Sequence, residues 1–400
     1  MENLKIGFLL HFYQPWWQFP RVLTEIVNQC YRPVLWLADN MPGFCFSANI
    51  NFSLLELLDH EYTLFESTDG YTKPVDGLAL NCSGHGFRGV IGQLRRLVSD
   101  RKIELLGSTA YHPIMPLIPK KMRIEQMEMD TQVKRSFWNI NKNCDGIFLP
   151  EMAWSQNILP DLKHCGYKWT IIDDGPFKAQ YGKVPFNRIP SVRGFKVFLR
   201  SNYWSNRISF DQFDFGEIRN KMREEIPKWT DNQPAYMILA MDAETFGHHS
   251  KRLLEKFLIP MVKEWGEAGS GILTPIEVIG KSFPAKDLIK IENGSWSTSE
   301  DDYRRDDAFP LWRSKYNVYH REFWDLVNMA LQYSDNPSAM FDCMKIISSC
   351  HSWWISRRPF WKPEFMKFGA KKAMEIIGRF GNQTENNEAK KIFEKLDSLQ

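Results

Sequence analysis

An α/β fold is what this 400-residue sequence predicts: parallel strands alternating with helices, wrapped into a barrel that carries a helical C-terminal region. Three observations predict it. Short apolar runs bounded by turn residues recur through the first two-thirds of the chain and alternate with stretches of helical spacing, the order that strands joined by crossovers require. Several of those runs are apolar throughout, as strands covered on both faces must be. From about Glu300 the strand signals stop and helical spacing alone remains.

Taken in order, the runs that read as strands are Lys5–His11, Phe46–Phe52, Ile103–Ser108, Gly146–Leu149, Lys168–Ile172, Lys196–Arg200, Tyr236–Met241 and Ile272–Thr274. Helical spacing marks Arg21–Ala38, Phe87–Ser99, Arg123–Asn139, Ile158–Lys163, Asp214–Glu225 and Lys251–Ala268. Between them, Gln180–Phe210 reads as a hairpin or a long loop, and Gly84-His85-Gly86 as a loop. The C-terminal helices are expected over Asp306–Ala330, Pro337–Ser349, Pro363–Arg379 and Glu385–Leu399. A proline in the segment SFPAKD places the boundary near residue 285, giving a barrel over 1–285 and a helical region packed on it over 286–400.

Composition narrows the class. Hydrophobic residues at 43% and charged residues at 25% describe an ordinary globular chain and exclude a disordered, collagenous or disulfide-framework protein. Fifty-one basic against 48 acidic residues leave a net charge of +3, too small for a nucleic-acid surface. Phe, Trp and Tyr number 28, 15 and 13, or 14% of the chain, and flat apolar rings with polar edges suit both a core and sugar rings. Seven scattered cysteines, odd in number and without a CxxC pair, argue for a reducing compartment. The opening MENLKIGFLLHFYQP has no cleavage site, and no run approaches the roughly 20 apolar residues of a membrane span. The expectation is a cytoplasmic protein with no membrane partner; its oligomeric state is not readable.

Barrels of this class place reactive groups where strands end. The first strand ends in His11-Phe12-Tyr13-Gln14-Pro15, followed by Trp16-Trp17, and the third leads into Tyr111-His112-Pro113. The fourth runs into Pro150-Glu151-Met152-Ala153-Trp154. A later strand delivers Asp242-Ala243-Glu244-Thr245-Phe246-Gly247-His248-His249, whose two carboxylates at i and i+2 face one side while the chain stays extended. For any single strand-end carboxylate a cap or a surface position is the ordinary reading; the combination with His11, His112 and nearby tryptophans reverses it. Two carboxylates from different strand ends are what glycoside cleavage needs, one at the anomeric carbon and one handling the proton. Glu151 and Asp242 are that pair, and Glu244 reads first as a buried carboxylate accepting hydrogen bonds.

These segments resemble glycoside hydrolase family 57, the family of α-amylases, 4-α-glucanotransferases and glucan branching enzymes with a retaining mechanism. HFYQP resembles its N-terminal His-Gln-Pro motif in a loosened form, IELLGSTAYHPIMPL its second region, GIFLPEMAWS its nucleophile region, AMDAETFGHH its acid/base region and ENGSWST, with Trp296, its fifth. SSCHSWWIS resembles a helical segment of the family, with His351 or Ser352 where an Asp is usual. The resemblance implies an incomplete barrel of seven strands, so that at least one of the eight runs lies outside it. It implies Glu151 as nucleophile, Asp242 as general acid/base, and His11, Glu104, Trp154, Glu244, His248 and Trp296 as residues at or behind the subsites. With Gln14, Trp17 and His112 these make the expected substrate-binding set. The implied partner is an α-linked oligo- or polysaccharide, and no cofactor or metal is called for.

Two other readings use the same residues. Imidazoles and carboxylates suit a metal, as in sugar deacetylases on a related incomplete barrel, although the spacing matches no HExxH pattern and His248-His249 are adjacent. The chain could also be a carbohydrate-binding homologue with little turnover. Arg200 at a strand end reads as a salt-bridge partner, Asp173-Asp174-Gly175 as a turn, and Trp353-Trp354 as core packing. The first reading is a retaining, α-amylase-like hydrolase of α-glucans and maltooligosaccharides; 4-α-glucanotransferase and branching enzyme, which share its first half-reaction, stand as alternatives that the sequence does not exclude.

Overall fold

Seven parallel strands form the barrel wall: β1 (Leu4–Phe12), β2 (Phe46–Ile50), β3 (Ile103–Leu106), β4 (Gly146–Phe148), β5 (Trp169–Asp173), β7 (Phe195–Arg200) and β8 (Ala235–Asp242). They lie in the order β3-β2-β1-β8-β7-β5-β4. The computed structural model describes residues 4–60, 74–75, 78–79, 87–138, 144–267 and 270–399. The Gly84–Gly86 loop, Cys82 and the expected helix ends Asn139 and Ala268 lie outside the described residues. Among the described residues no continuous ladder closes the wall: β3 and β4 meet through the Gly107–Ile147 bridge, where Gly107 N–H donates to the Gly146 carbonyl and Phe148 N–H to the Gly107 carbonyl. This is the incomplete barrel the sequence leads one to expect.

The eighth apolar run, Ile272–Thr274, stands outside the wall and forms one parallel bridge, Leu273 to Ile6. Besides the short antiparallel pair Pro74–Val75 and Leu78–Ala79, two strands fall outside the eight runs read from the sequence. β6 (Ile189–Val192) pairs antiparallel with β7, and β9 (Ala285–Leu288) runs parallel to β6. The β6–β7 turn is two residues, Arg193 at φ 52° and Gly194 at φ 78°, the left-handed pair that a tight hairpin favours. The hairpin reading of this stretch therefore holds, whereas the boundary expected at residue 285 falls on the first residue of β9, and pairing with the barrel side continues to Leu288.

Alternation along β1 divides the core into layers. Leu4, Ile6, Phe8, Leu10 and Phe12 face the surrounding helices, while Leu9 joins Leu106, Phe148, Ile171, Phe198, Ile238 and Ala240 inside the barrel. The N-terminal end of the barrel is plugged by helix Ile276–Ser282, whose Ile276 and Ile279 enter the interior. Gly7 faces this plug, and a Cβ there would stand 2.6 Å from Ile238 Cδ1 and 2.9 Å from Ile276 Cγ1, too close for any larger residue. Glu104 accepts the first N–H groups of the plug, Ile276 at 2.8 Å and Glu277 at 2.7 Å. That places Glu104 at the strand beginnings, away from the strand ends where the resemblance implied it.

The C-terminal helices have their own core, which takes in Ala110, Tyr111 and Ile118 from the loop after β3 and Met122 from the helix Lys120–Trp138 that follows. The helix expected over Asp306–Ala330 is two, Pro310–Arg313 and Val318–Leu331. Asn317 separates them by capping the second, its side chain accepting from the N–H groups of Tyr319 and His320. Among the described residues no helix is long and apolar enough to cross a membrane.

Candidate active site

At the C-terminal end of the barrel, His11 on β1 is in register with Asn49 on β2 and with Asp242 on β8. In a parallel sheet that register points all three side chains to one face at one height. Asn49 Nδ2 donates to His11 Nδ1 at 2.8 Å, so His11 carries its proton on Nε2, which lies 3.0 Å from His112 Nε2. His112 in turn uses Nδ1–H toward Ser349 Oγ at 2.8 Å. Rings stack along the same line: Tyr13 on His112 at 3.9 Å, His112 on His11 at 4.9 Å, and His11 on Phe148 at 4.5 Å. Burial holds both imidazoles neutral, pushing His11 down to about 3 and His112 well below its ordinary value.

Glu151 follows β4 in left-handed backbone, φ 58° and ψ 18°, with Met152 beside it at φ 49°. His112 shares this conformation at φ 57°. Three non-glycine residues held there beside one cleft are costly, of order 1–3 kcal/mol each, and such strain collects at functional sites. Trp296 fixes the carboxylate: its indole N–H donates to Glu151 Oε2 at 2.7 Å, and its backbone N–H to the Glu151 carbonyl at 3.3 Å. Arg200 stands over the Trp296 ring at 5.6 Å and pairs with buried Asp173 at 2.7 Å, the salt bridge its sequence position suggested.

The charges interact. Burial and the negative Asp242 push Glu151 up to about 8, with the Trp296 hydrogen bond opposing the rise. Burial also raises Asp242, to about 6, against the pull of the Arg200 guanidinium. Between those values the two carboxyls share one proton as a pair, with Glu151 the more strongly raised of the two.

Glu244 lies elsewhere than its i, i+2 spacing from Asp242 implied. The chain turns at Ala243–Thr245, which ends the extended geometry, and the Glu244 carboxylate goes beneath the cleft to Tyr31 Oη and to Gln14 Nε2 at 2.7 Å. Gln14, expected at the substrate, thus bonds Glu244 inside the core, where Glu244 is the buried hydrogen-bond acceptor of its first reading and not a member of the substrate-binding set; burial followed by the charge of Asp242 raises it. Trp154 was likewise expected to face sugar, and it is 0% exposed. Its ring packs among Ile147, Leu149, Ile158 and Ile172, with the indole N–H on the Ile291 carbonyl, so neither face is open to a ligand. Trp17 stacks on His351 at 4.5 Å, against the helical region. His248 bonds Gln29 at 3.2 Å on the turn after β8.

The residues sequence reasoning did not single out come from two sources. Asn49 is a polar residue in an apolar strand, a signal present in FSANIN. Ser348, Ser349 and Cys350 arrive from the helical region: Ser349 N–H donates to the His112 carbonyl at 3.0 Å, and Tyr13 Oη lies 3.2 Å from both Ser348 Oγ and Cys350 Sγ. Cys350 is partly exposed, and its thiol is raised to about 12 by burial and the nearby carboxylates.

The sequence model of glycosyl hydrolase family 57 matches residues 12–292. The chain belongs to this family. Among relatives with names, it is 25% identical over 179 residues to the 4-alpha-glucanotransferase of Thermococcus litoralis, covering 45% of this chain and 23% of that protein. It is 26% identical over 177 residues to the alpha-amylase of Pyrococcus furiosus, covering 44% and 23%. The chain thus spans about a quarter of the length of these relatives. Among solved structures, a family 57 branching enzyme from Thermococcus kodakaraensis superposes with a TM-score of 0.68 at 16% identity, covering 99% of this chain and 95% of that one. The Thermococcus litoralis 4-alpha-glucanotransferase superposes with a TM-score of 0.70 at 16% identity, covering 94% and 60%. These likenesses establish the family 57 fold, an incomplete (β/α)7 barrel.

A metal-dependent site finds little support in this family 57 cleft. Both nitrogens of His11 and both of His112 are engaged by Asn49, each other and Ser349, which leaves neither ring a lone pair for an ion. Among the described residues no cluster of three His, Cys, Asp or Glu side chains could hold one.

Proposed function

We propose that the protein is a retaining α-glucan-active enzyme, α-amylase-like, with Glu151 as nucleophile and Asp242 as general acid/base. The observation that carries this reading is the pair itself: two carboxylates at the ends of β4 and β8, close enough that the charge of one raises the other. A Glu151 oxygen attacks the anomeric carbon, the glycosidic C–O bond breaks, and the Asp242 proton goes to the departing oxygen. Water or a sugar hydroxyl then gives its proton to Asp242 and its oxygen to the anomeric carbon, which frees Glu151. Water makes the enzyme a hydrolase; a sugar hydroxyl makes it a 4-α-glucanotransferase or a branching enzyme.

One observation favours a second reading. Burial and the charge of Asp242 raise Glu151 further than Asp242 is raised, whereas a nucleophile must be ionised, so the first reading needs the pair's proton on Asp242 rather than on Glu151 at the moment of attack. Were it on Glu151 instead, the roles would be exchanged, with Asp242 attacking and Glu151 donating. Trapping the intermediate with a fluorosugar inactivator and locating the labelled peptide by mass spectrometry decides between them: label on Glu151 supports the first reading, and label on Asp242 replaces it. Product analysis on maltoheptaose separates net reducing-end release from redistributed chain lengths. We also assign the protein to a reducing, cytoplasmic compartment, in keeping with the six described cysteines, all free; recovery of the native protein in an extracytoplasmic fraction would refute that.

A further inference from the structure

A belt of aromatic rings leaves the catalytic cleft across the helical region. Trp353 packs against a buried cluster of Ile114, Ala153, Phe309, Leu311 and Trp312, of which Ala153 lies two residues from Glu151 in the chain. From Trp353 the belt branches to Trp354 at 4.6 Å and to Phe360 at 5.5 Å. Trp354 continues to Phe365 at 4.7 Å, and Phe365 to Phe19 at 6.3 Å, on the loop after β1. Its outer members are open, Phe360 at 51% and Phe19 at 45% exposed, while Trp353, Trp354 and Phe365 are half-buried.

The belt is tied to the nucleophile. Arg358, in the loop that carries Phe360, grips Asp302 with two 2.9 Å bonds and donates to the Ser297 carbonyl at 3.3 Å. Ser297 follows Trp296, which holds Glu151. Exposed polar groups flank the rings at Lys362 and Glu364. Flat apolar faces edged by hydrogen-bonding groups match a chain of sugar rings, each with C–H faces and hydroxyl edges.

We propose that Phe360, Trp354 and Phe19 form an outlying platform for a long α-glucan, so that the protein prefers polymer over short oligosaccharides. This rests on the proposed α-glucan activity and adds the length of chain the site engages. The platform touches none of the reacting atoms, and its outer rings can be removed without opening the core.

The test compares wild type with Phe360→Ala, Phe19→Ala and the double variant, each checked for folding by thermal denaturation. Retention in amylopectin-containing native gels reads binding without turnover; kcat/KM on amylose and on maltotriose reads function. Each ring removed should lower kcat/KM on amylose and weaken amylopectin retention roughly two- to tenfold, with maltotriose unchanged. Equal losses on both substrates, or none, overturn the platform. A wild-type dimer in sedimentation that the variants dissolve also overturns it, by assigning the belt to a second copy. Retention without turnover of any α-glucan would leave the platform standing and remove the enzymatic reading. Turnover of maltotriose without retention would do the reverse.

Discussion

Nε2 of His11 and Nε2 of His112 stand 3.0 Å apart, so only one of the two nitrogens can carry a proton, and the pair resists acid only while it stays neutral. Both imidazoles are depressed by burial, His11 to about 3, against an ordinary value of about 6.5 when unfolded. Below about pH 6.5 the unfolded chain binds protons that the folded one refuses, and stability falls by up to about 1.4 kcal/mol per pH unit and imidazole. His112→Asn, which tolerates the left-handed backbone at this position, should flatten that decline between pH 6.5 and 4 in denaturant titrations. Wild-type and variant curves that run parallel would refute the assignment.

Trp296 offers a second handle on Glu151. Its indole N–H stabilises ionised Glu151, so Trp296→Phe should raise the Glu151 pKa still further and move the alkaline limb of kcat/KM upward. Loss of a hydrogen bond to a charged group predicts a drop of roughly 10- to 100-fold in kcat/KM. A variant with wild-type rate and an unmoved limb would show that the bond is incidental to turnover.

The carboxylate pair sets the working range. With Glu151 near 8 and Asp242 near 6, the singly protonated pair is populated between those values, and kcat/KM should be bell-shaped with limbs near them, as properties of the pair. Asp242→Asn removes the repelling charge, so the limb that survives in the residual activity should shift to lower pH. An upward shift, or a profile lacking an acid limb, contradicts the arrangement.

Trp154 separates packing from recognition. Fully buried, it should cost about 3–5 kcal/mol of stability when replaced by alanine. At a temperature where the variant remains folded, its KM for maltooligosaccharides should match wild type. A raised KM with unchanged stability would return Trp154 to the substrate.

Most of the wall strands were legible because they are buried on both faces and so are spelled largely as apolar runs, although β2 carries Ser47 and Asn49 and β3 has half-buried Glu104 and Leu105. β9, whose Ala285, Lys286 and Asp287 are exposed, carries no such signal, and its pairing depends on β6 being present. Glu151, Asp242, His11 and His112 were legible as polar residues at the ends of apolar strands. The facing of Glu244 was not, because the spacing rule lapses where the turn at Ala243 begins. Nor were Gln14 and Trp154 legible as core residues: a Gln and a Trp beside a motif look alike whether they meet a ligand or, as here, Glu244 and the Ile291 carbonyl.

The seam between barrel and helices bears on how such a chain can change over time. His112 gives its imidazole proton to Ser349 and its carbonyl to the Ser349 amide, Pro113 bridges Ser348, and Tyr13 reaches Ser348 and Cys350. Part of the support beneath the cleft is thus inherited with the helices. A recombination event that joined this barrel to another relative's C-terminal segment would break that support unless matching residues came with it, and the two parts are expected to vary together as one heritable unit.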